Sequence, residues 1–184
     1  EISGQIVDFS KLSTKAKVSR SSSIRFMEIL EDTLIGYKIP VFDKAESADV
    51  IKHPKFYFFD AGVLNGLLNN FNSSADRVGF LFEHIVLSQL KNSAFALDLP
   101  LEVCYFRTRS GVEVDFVIKF KNRYYAIEVK HGSVTKQDIQ SLKVFKTYFP
   151  EVKKLYAVST VEKNRSLDSV TVCNLNELLA DIGL

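Results

Sequence analysis

Residues 112–130 read VEVDFVIKFKNRYYAIEVK, and this stretch decides the fold of the part of the chain around it. Side chains of a strand return to the same face every second residue, and apolar residues keep that spacing on both sides of Lys121-Asn122. Lys121-Asn122 is a tight-turn signal between strands. The stretch therefore predicts a β-hairpin with strands at 112–120 and 123–130.

Three of the charged side chains in this hairpin are expected to lie close together. Glu128 and Lys130 are two residues apart and project from the same face, and a turn near Asn122 brings Asp115 close to opposite Glu128. Carboxylates that face each other across a hairpin repel unless a cation offsets their charge, and carboxylate and water ligands suit Mg²⁺ or Mn²⁺. A lysine beside the ion can orient or deprotonate a water, or stabilise charge on a phosphate.

These residues predict a site for metal-dependent phosphodiester hydrolysis, in which Asp115 and Glu128 hold the metal and Lys130 is catalytic. The alternative interpretation of the same side chains is a solvent-facing ladder of alternating charges.

The elements around the hairpin are predicted from the same spacing rules. Apolar residues recur at helical spacing before and after the hairpin, and at period two in the flanking strands. The order is helix, three strands, helix and strand, followed by one more strand and a terminal helix. The flanking ranges are 76–92, 103–107, 135–148, 154–159, 169–174 and 175–184.

The first 60 residues predict a helix, a turn, a second helix and a two-stranded wing, which together make a winged-helix pattern. Residues 9–27 carry five basic side chains and no acidic one. These basic residues are Lys11, Lys15, Lys17, Arg20 and Arg25. We expect them to contact phosphates, with the second helix approaching a major groove. The alternative is that this domain docks onto a neighbouring domain.

The composition suits one large domain or two smaller ones. The 184 residues are 46% hydrophobic with a formal net charge of +2, so wholesale disorder is excluded and the total charge does not decide for or against nucleic acid. Cys104 and Cys173 form no CxxC pair, which fits the cytoplasm, and no apolar run reaches the ~20 residues of a membrane span. The chain lacks an initiator Met and a phosphate-binding loop, so we expect a piece of a longer protein.

The charged residues of the hairpin resemble the signature of the PD-(D/E)XK nuclease superfamily. Asp115 matches its aspartate and residues 128–130 match its E-x-K, although Val114 stands where the pattern has proline. The predicted element order also matches the core of that superfamily. Its first helix often carries an acid that joins the metal site, and Glu83 occupies the matching place.

A closer resemblance covers nearly the whole chain. Four blocks in order, at residues 55–62, 79–83, 107–116 and 127–130, are similar to an uncharacterised domain found C-terminal to the ATPase module of many archaeal and bacterial AAA-type ATPases. In that family a winged-helix segment lies between the ATPase and the nuclease-like domain. The resemblance implies an attached ATPase domain, and ATP would bind only in that absent N-terminal domain.

We therefore predict a mixed α/β fold, with a winged helix-turn-helix at residues 1–60 and a restriction-endonuclease-like core at 61–184. The expected function is a Mg²⁺- or Mn²⁺-dependent nuclease-like domain that acts on or binds DNA. Glu83 is a further expected metal ligand, and Arg107 is expected to pair with a phosphate or a carboxylate. The alternative function is a catalytically silent module that binds DNA or protein and regulates the ATPase.

Overall fold

The computed structural model describes residues 3–44, 49–72, 74–160 and 163–184. Within them the chain forms six helices and two sheets, so the predicted mixed α/β class is confirmed. Contacts divide the chain into two units, residues 1–40 with 52–71 and residues 41–51 with 72–184. The division predicted from the sequence lies at residue 60.

Unit 1 contains three helices and a three-stranded antiparallel sheet in the order β1-β3-β2. Asp8 begins the first helix by accepting a hydrogen bond from the N–H of Ser10 at 2.9 Å, and Ser19 caps the second in the same way. Val7, Met27 and Phe56 form one buried hydrophobic cluster within it. The elements are β1 (Gln5–Ile6), α1 (Phe9–Ala16), α2 (Arg20–Asp32), β2 (Gly36–Ile39), β3 (Lys55–Phe58) and α3 (Ala61–Leu68).

Unit 2 is built on a six-stranded mixed sheet in the order β4-β5-β6-β7-β9-β8. Strands β4, β5 and β6 form an antiparallel meander, whereas β6, β7 and β9 are parallel to one another. The elements are α4 (Ala75–Ala96), β4 (Leu101–Arg107), β5 (Glu113–Phe120), β6 (Arg123–Lys130), α5 (Gln140–Tyr148), β7 (Val152–Ser159), β8 (Arg165–Leu167), β9 (Val170–Cys173) and α6 (Leu175–Ile182).

The predicted hairpin is confirmed as β5 and β6. Lys121 and Asn122 form its turn with φ angles of 48° and 60°, the left-handed values that a two-residue hairpin turn requires at both positions. The turn pairs Phe120 with Arg123, and the ladder continues to the pair formed by residues 116 and 127. The candidate residues lie beyond that last pair.

The predicted helix at 135–148 begins later than expected, at Gln140. Asp138 accepts hydrogen bonds from both the N–H and the hydroxyl of Thr135, at 2.8 and 2.6 Å. These bonds close a turn at residues 135–138 that precedes the helix. The turn lies between β6 and α5.

Residues 41–44 and 49–51, which lie between β2 and β3 in the sequence, belong to unit 2 and contact its edge strand β4. The N–H of Phe42 donates to the carbonyl of Tyr105 at 2.6 Å, and the N–H of Ile51 donates to the carbonyl of Arg107 at 2.9 Å. The Phe42 side chain is buried and packs edge-to-face on Phe149, with the ring centroids 4.9 Å apart. This segment therefore contributes an aromatic side chain to the core and covers backbone groups of an edge strand.

We expect Phe42→Ala to lower the free energy of unfolding by about 3–5 kcal/mol, because it removes a ring that is only 4% exposed from a packed aromatic cluster. Urea denaturation measures this change. Phe95→Ala is the matched control, since Phe95 is 87% exposed and its loss should change stability by less than about 0.5 kcal/mol. Equal effects of the two substitutions would contradict the packing role of Phe42.

Candidate functional site

Asp115 is held at the point where the ladder between β5 and β6 ends. The last backbone pair is Phe116 with Ile127, so Asp115 and Glu128 are the next positions in the same register. There the Oδ2 atom of Asp115 accepts a hydrogen bond from the N–H of Val129 at 2.8 Å. The Asp115 carboxylate thus serves as an acceptor for the backbone of β6, which orients it at the start of β5.

Glu128 lies on the face of β6 that packs on the apolar core. Ala126, two residues earlier on that face, belongs to a hydrophobic cluster together with Leu142 of α5. On the neighbouring strand β7, Ala157 pairs with Glu128 and brings only a methyl group. The side chain of Glu128 is consequently 9% exposed. A carboxylate in such surroundings needs a countercharge or hydrogen bonds.

Lys130 provides one such partner. Its Nζ atom lies 2.8 Å from Oε1 of Glu128, and its side chain is 34% exposed, so the ammonium is at the border between core and solvent. The other oxygen, Oε2 of Glu128, is buried and has no hydrogen-bond partner among the described residues. One oxygen of the Glu128 carboxylate therefore has a charged partner, and the other has no hydrogen bond among the described residues.

Burial raises the pKa of Glu128, because the charged form loses hydration there. Lys130 opposes this rise, whereas the negative charges of Glu113 and Glu83 add to it. Burial by itself would lower the pKa of Lys130, but its contact with Glu128 and the charges of Asp115 and Asp138 raise that pKa overall. The site is thus a cluster of acidic groups around the ammonium of Lys130.

Glu83 and Glu113 lie near enough to act on Glu128 electrostatically, but they occupy different elements. Glu83 is a half-buried residue of α4. Glu113 begins β5 and accepts a hydrogen bond from Nη1 of Arg107 at 2.8 Å. Of the two partners expected for Arg107, the structure therefore contains the carboxylate, and contact with a phosphate stays a prediction.

Asp115 and Glu128 occupy facing positions at the end of the hairpin, as expected, and Glu83 lies on α4. Within the part of the chain that the structure describes, no three His, Cys, Asp or Glu side chains form a group that could hold a metal ion. Glu83 as a third ligand to the metal stays a prediction. Mg²⁺ usually binds through one or two carboxylates and keeps several waters, so Asp115 and Glu128 are a suitable donor set.

The five basic residues expected to contact phosphates are all exposed. They are Lys11 and Lys15 on α1, Lys17 at the C-terminal cap of α1, and Arg20 and Arg25 on α2. Arg25 is the only member of this set for which an ion pair is described, at 3.8 Å from Glu28. The later part of α2 exposes acidic residues as well, so the basic surface is concentrated at α1 and the start of α2. Contact of this surface with nucleic acid stays a prediction.

Asp138 was not identified from the sequence as a neighbour of the site. Its carboxylate caps the turn after β6, and its charge acts on Lys130. The pattern of Thr135 followed three residues later by an acid indicates this turn. Its proximity to Lys130 depends on the direction in which the chain leaves β6, which the pattern does not specify.

The fold and site define a mixed α/β domain with a partly buried acidic cluster at the sheet, attached to a small helix-and-sheet unit. The family described as "Domain of unknown function (DUF4143)" matches residues 78–178, more than half of the chain, and the chain belongs to this family. Its members are typically found at the C-terminus of AAA-ATPase-like proteins. A second family, described as "Domain of unknown function (DUF8612)", matches residues 1–74.

Two curated relatives are similar to this chain. They are the uncharacterized proteins Rv2008c of Mycobacterium tuberculosis and Mb2031c of Mycobacterium bovis, each 27% identical over 134 residues. The alignment covers 71% of this chain but only 30% of each relative. No solved structure matches the chain. In the described ranges, no helix has the length and apolar character needed to cross a membrane.

We expect Asp115→Ala to destabilise the protein more than Asp115→Asn, by about 1–2 kcal/mol. Both substitutions remove the negative charge, but asparagine keeps an oxygen that can accept the N–H of Val129. The difference between the two variants therefore isolates the hydrogen bond from the electrostatics. Equal unfolding free energies in urea would show that this bond does not support the end of the hairpin.

Glu128→Gln is expected to gain stability relative to the natural protein as the pH rises from below 4.5 through the raised pKa of Glu128. Because the pKa of Glu128 is raised, the folded state favours the neutral acid. Protonation of Glu128 therefore stabilises the natural protein at low pH, and this stabilisation is lost as the pH rises through the folded-state pKa. Unfolding free energies at several pH values measure the difference between the two proteins.

Glu102→Gln is the control of opposite sign. A hydrogen bond from Lys119 lowers the pKa of Glu102, so ionisation of Glu102 favours the folded state. The glutamine variant should therefore lose stability relative to the natural protein as the pH rises. If both glutamine variants change in the same direction, the burial of Glu128 does not control its ionisation.

Proposed function

We propose that unit 2 is a Mg²⁺-dependent nuclease-like domain that acts on DNA, with a PD-(D/E)XK core. The observation that carries this proposal is the Glu128 carboxylate, which is buried on a core-facing strand with Oε2 lacking a hydrogen bond in the described ranges. Asp115 and Lys130 flank it at the same edge of the sheet. Such an arrangement costs stability, and proteins keep costly polar groups mainly where they function.

The element order supports this core. Helix α4 is followed by the meander β4, β5 and β6, then by α5 and β7, and the resemblance to the nuclease superfamily implies the same sequence of elements. In unit 1, the order α1, α2, β2 and β3 supports a winged helix. Both assignments are part of the proposal.

The residues present fit a magnesium ion. Asp115 and Glu128 offer carboxylate oxygens, which Mg²⁺ and Mn²⁺ prefer, and Oε2 of Glu128 lacks a hydrogen bond within the described residues. When bound, the ion would neutralise charge on a phosphodiester and favour its hydrolysis.

The other roles belong to side chains of this chain. Lys130, with its ammonium at the border of solvent, orients the attacking water or stabilises the charge that develops on the phosphate. Arg107 lies at the rim of the acidic cluster, where its guanidinium can exchange Glu113 for a substrate phosphate. Asp115 and Glu128 keep their positions because the hairpin and the core restrain them.

The remaining partners follow from the surface and the relatives. The basic residues of α1 and the start of α2 would contact the nucleic-acid backbone. Because the alignment covers only 30% of each relative, and because the family typically follows an ATPase-like region, an attached ATPase is the proposed regulatory partner. The free cysteines Cys104 and Cys173 favour a cytoplasmic location.

Incubation with single- and double-stranded DNA and RNA in Mg²⁺ or Mn²⁺ tests the proposed activity. We expect cleavage that falls by about 100-fold or more in Lys130→Ala and Asp115→Asn. Lys119→Ala is the control, because Lys119 forms an ion pair with Glu102 on the same sheet, away from the acidic cluster. Cleavage that survives both site substitutions would overturn the assignment.

The second candidate is a catalytically silent module that binds DNA or protein and regulates the ATPase. It is favoured by the Lys130–Glu128 pair, which gives the buried acid a resident cation. Stoichiometric DNA binding that is unchanged by a chelator and by Glu128→Gln, without cleavage, would support this candidate over the nuclease.

A further inference from the structure

We infer that Lys130 takes the place of the metal ion at Glu128 in the metal-free protein, and that a divalent cation binds by displacing it. This inference rests on the proposed function for the presence of a metal site, and it adds an order of events within that site. Lys130 would become available to a substrate phosphate only after the metal has bound.

The countercharge of Glu128 carries the first step. The Glu128 side chain is almost fully buried, and the sole ion pair described for it joins Oε1 to Nζ of Lys130 at 2.8 Å. Asp115, Glu113 and Glu83 surround this pair with further negative charge. In the metal-free protein the ammonium therefore performs the neutralising role that a divalent ion would perform in the loaded protein.

The second step concerns which partner can move. Glu128 is restrained by the core around it, whereas Lys130 is about one-third exposed and ends a flexible four-carbon stem. A rotation of that stem into solvent requires no change in the backbone of β6. When two cations compete for one carboxylate, the exposed and flexible one is the one that leaves.

The third step is the competition itself. A divalent ion held by Asp115 and Glu128 would bring a second positive charge to the carboxylate that already binds the ammonium, and like charges this close repel strongly at a partly buried site. The ion and the ammonium therefore exclude each other from the same carboxylate. Displaced towards solvent, Lys130 faces the side from which a phosphodiester has to enter.

The reactivity of the Lys130 amine towards an acetylating reagent reports this exchange, with the rate at each lysine followed by mass spectrometry. We expect Mg²⁺ to increase the rate at Lys130 several-fold, because the amine loses its carboxylate partner. In Glu128→Gln the rate should already be high without metal and should not respond to Mg²⁺. Lys119 is the matched control, since it pairs with Glu102 at 2.6 Å and has a similar exposure of 32%.

Calorimetric titration with Mg²⁺ on the same proteins separates the outcomes. An unchanged or lower rate at Lys130, with Glu128-dependent binding of Mg²⁺ in the calorimeter, overturns the exchange but leaves the metal site standing. Absence of Mg²⁺ binding overturns both the exchange and the metal-dependent part of the proposed function. Exchange without cleavage of any nucleic acid would uphold the inference and reject the nuclease.

Discussion

The register between β5 and β6 is the constraint on which the candidate site depends. The two-residue turn at residues 121–122 sets Phe120 opposite Arg123, and each later pair follows from that one. Because strand side chains alternate between faces, a slip of one residue would move every side chain of β5 to the other side of the sheet. Burial of Val117 and Ala126 on one face opposes such a slip, so the core that stabilises the hairpin also positions Asp115.

The acidic cluster is unfavourable for folding, and the sheet around it offsets that cost. Burial of Glu128 and the charges of neighbouring acids disfavour its ionised form, while Lys130 compensates only in part. The strands that carry these groups are otherwise almost entirely apolar and buried. The buried residues 116–118 and 125–127 restrain the backbone of β5 and β6. This restraint keeps the acids close together despite their mutual repulsion.

The hairpin and its charged face could be predicted because both depend on local spacing and a short turn. Strands β1 and β8 have two and three residues, too few to show a periodic pattern. The packing of Phe42 depends on contacts with residues about 100 positions away, which no local pattern reports. The partner of Arg107 could not be chosen either, because the register of β4 shifts between Cys104 and Phe106 and so changes which side chains of β5 it meets.

The position of the site follows from the mixed character of the sheet. Strands β6, β7 and β9 are parallel, so their carboxyl ends lie at one edge of the sheet, and Lys130 ends the first of them. Strand β5 is antiparallel to β6, so its first residues meet that same edge. Asp115 at the start of one strand and Glu128 near the end of the other are therefore brought together by topology. At this edge the ladder between β5 and β6 stops, which leaves side-chain oxygens where backbone groups would otherwise pair. Ligand sites of α/β sheets form at the carboxyl ends of parallel strands for the same reason, since backbone pairing ends there and polar groups face outwards.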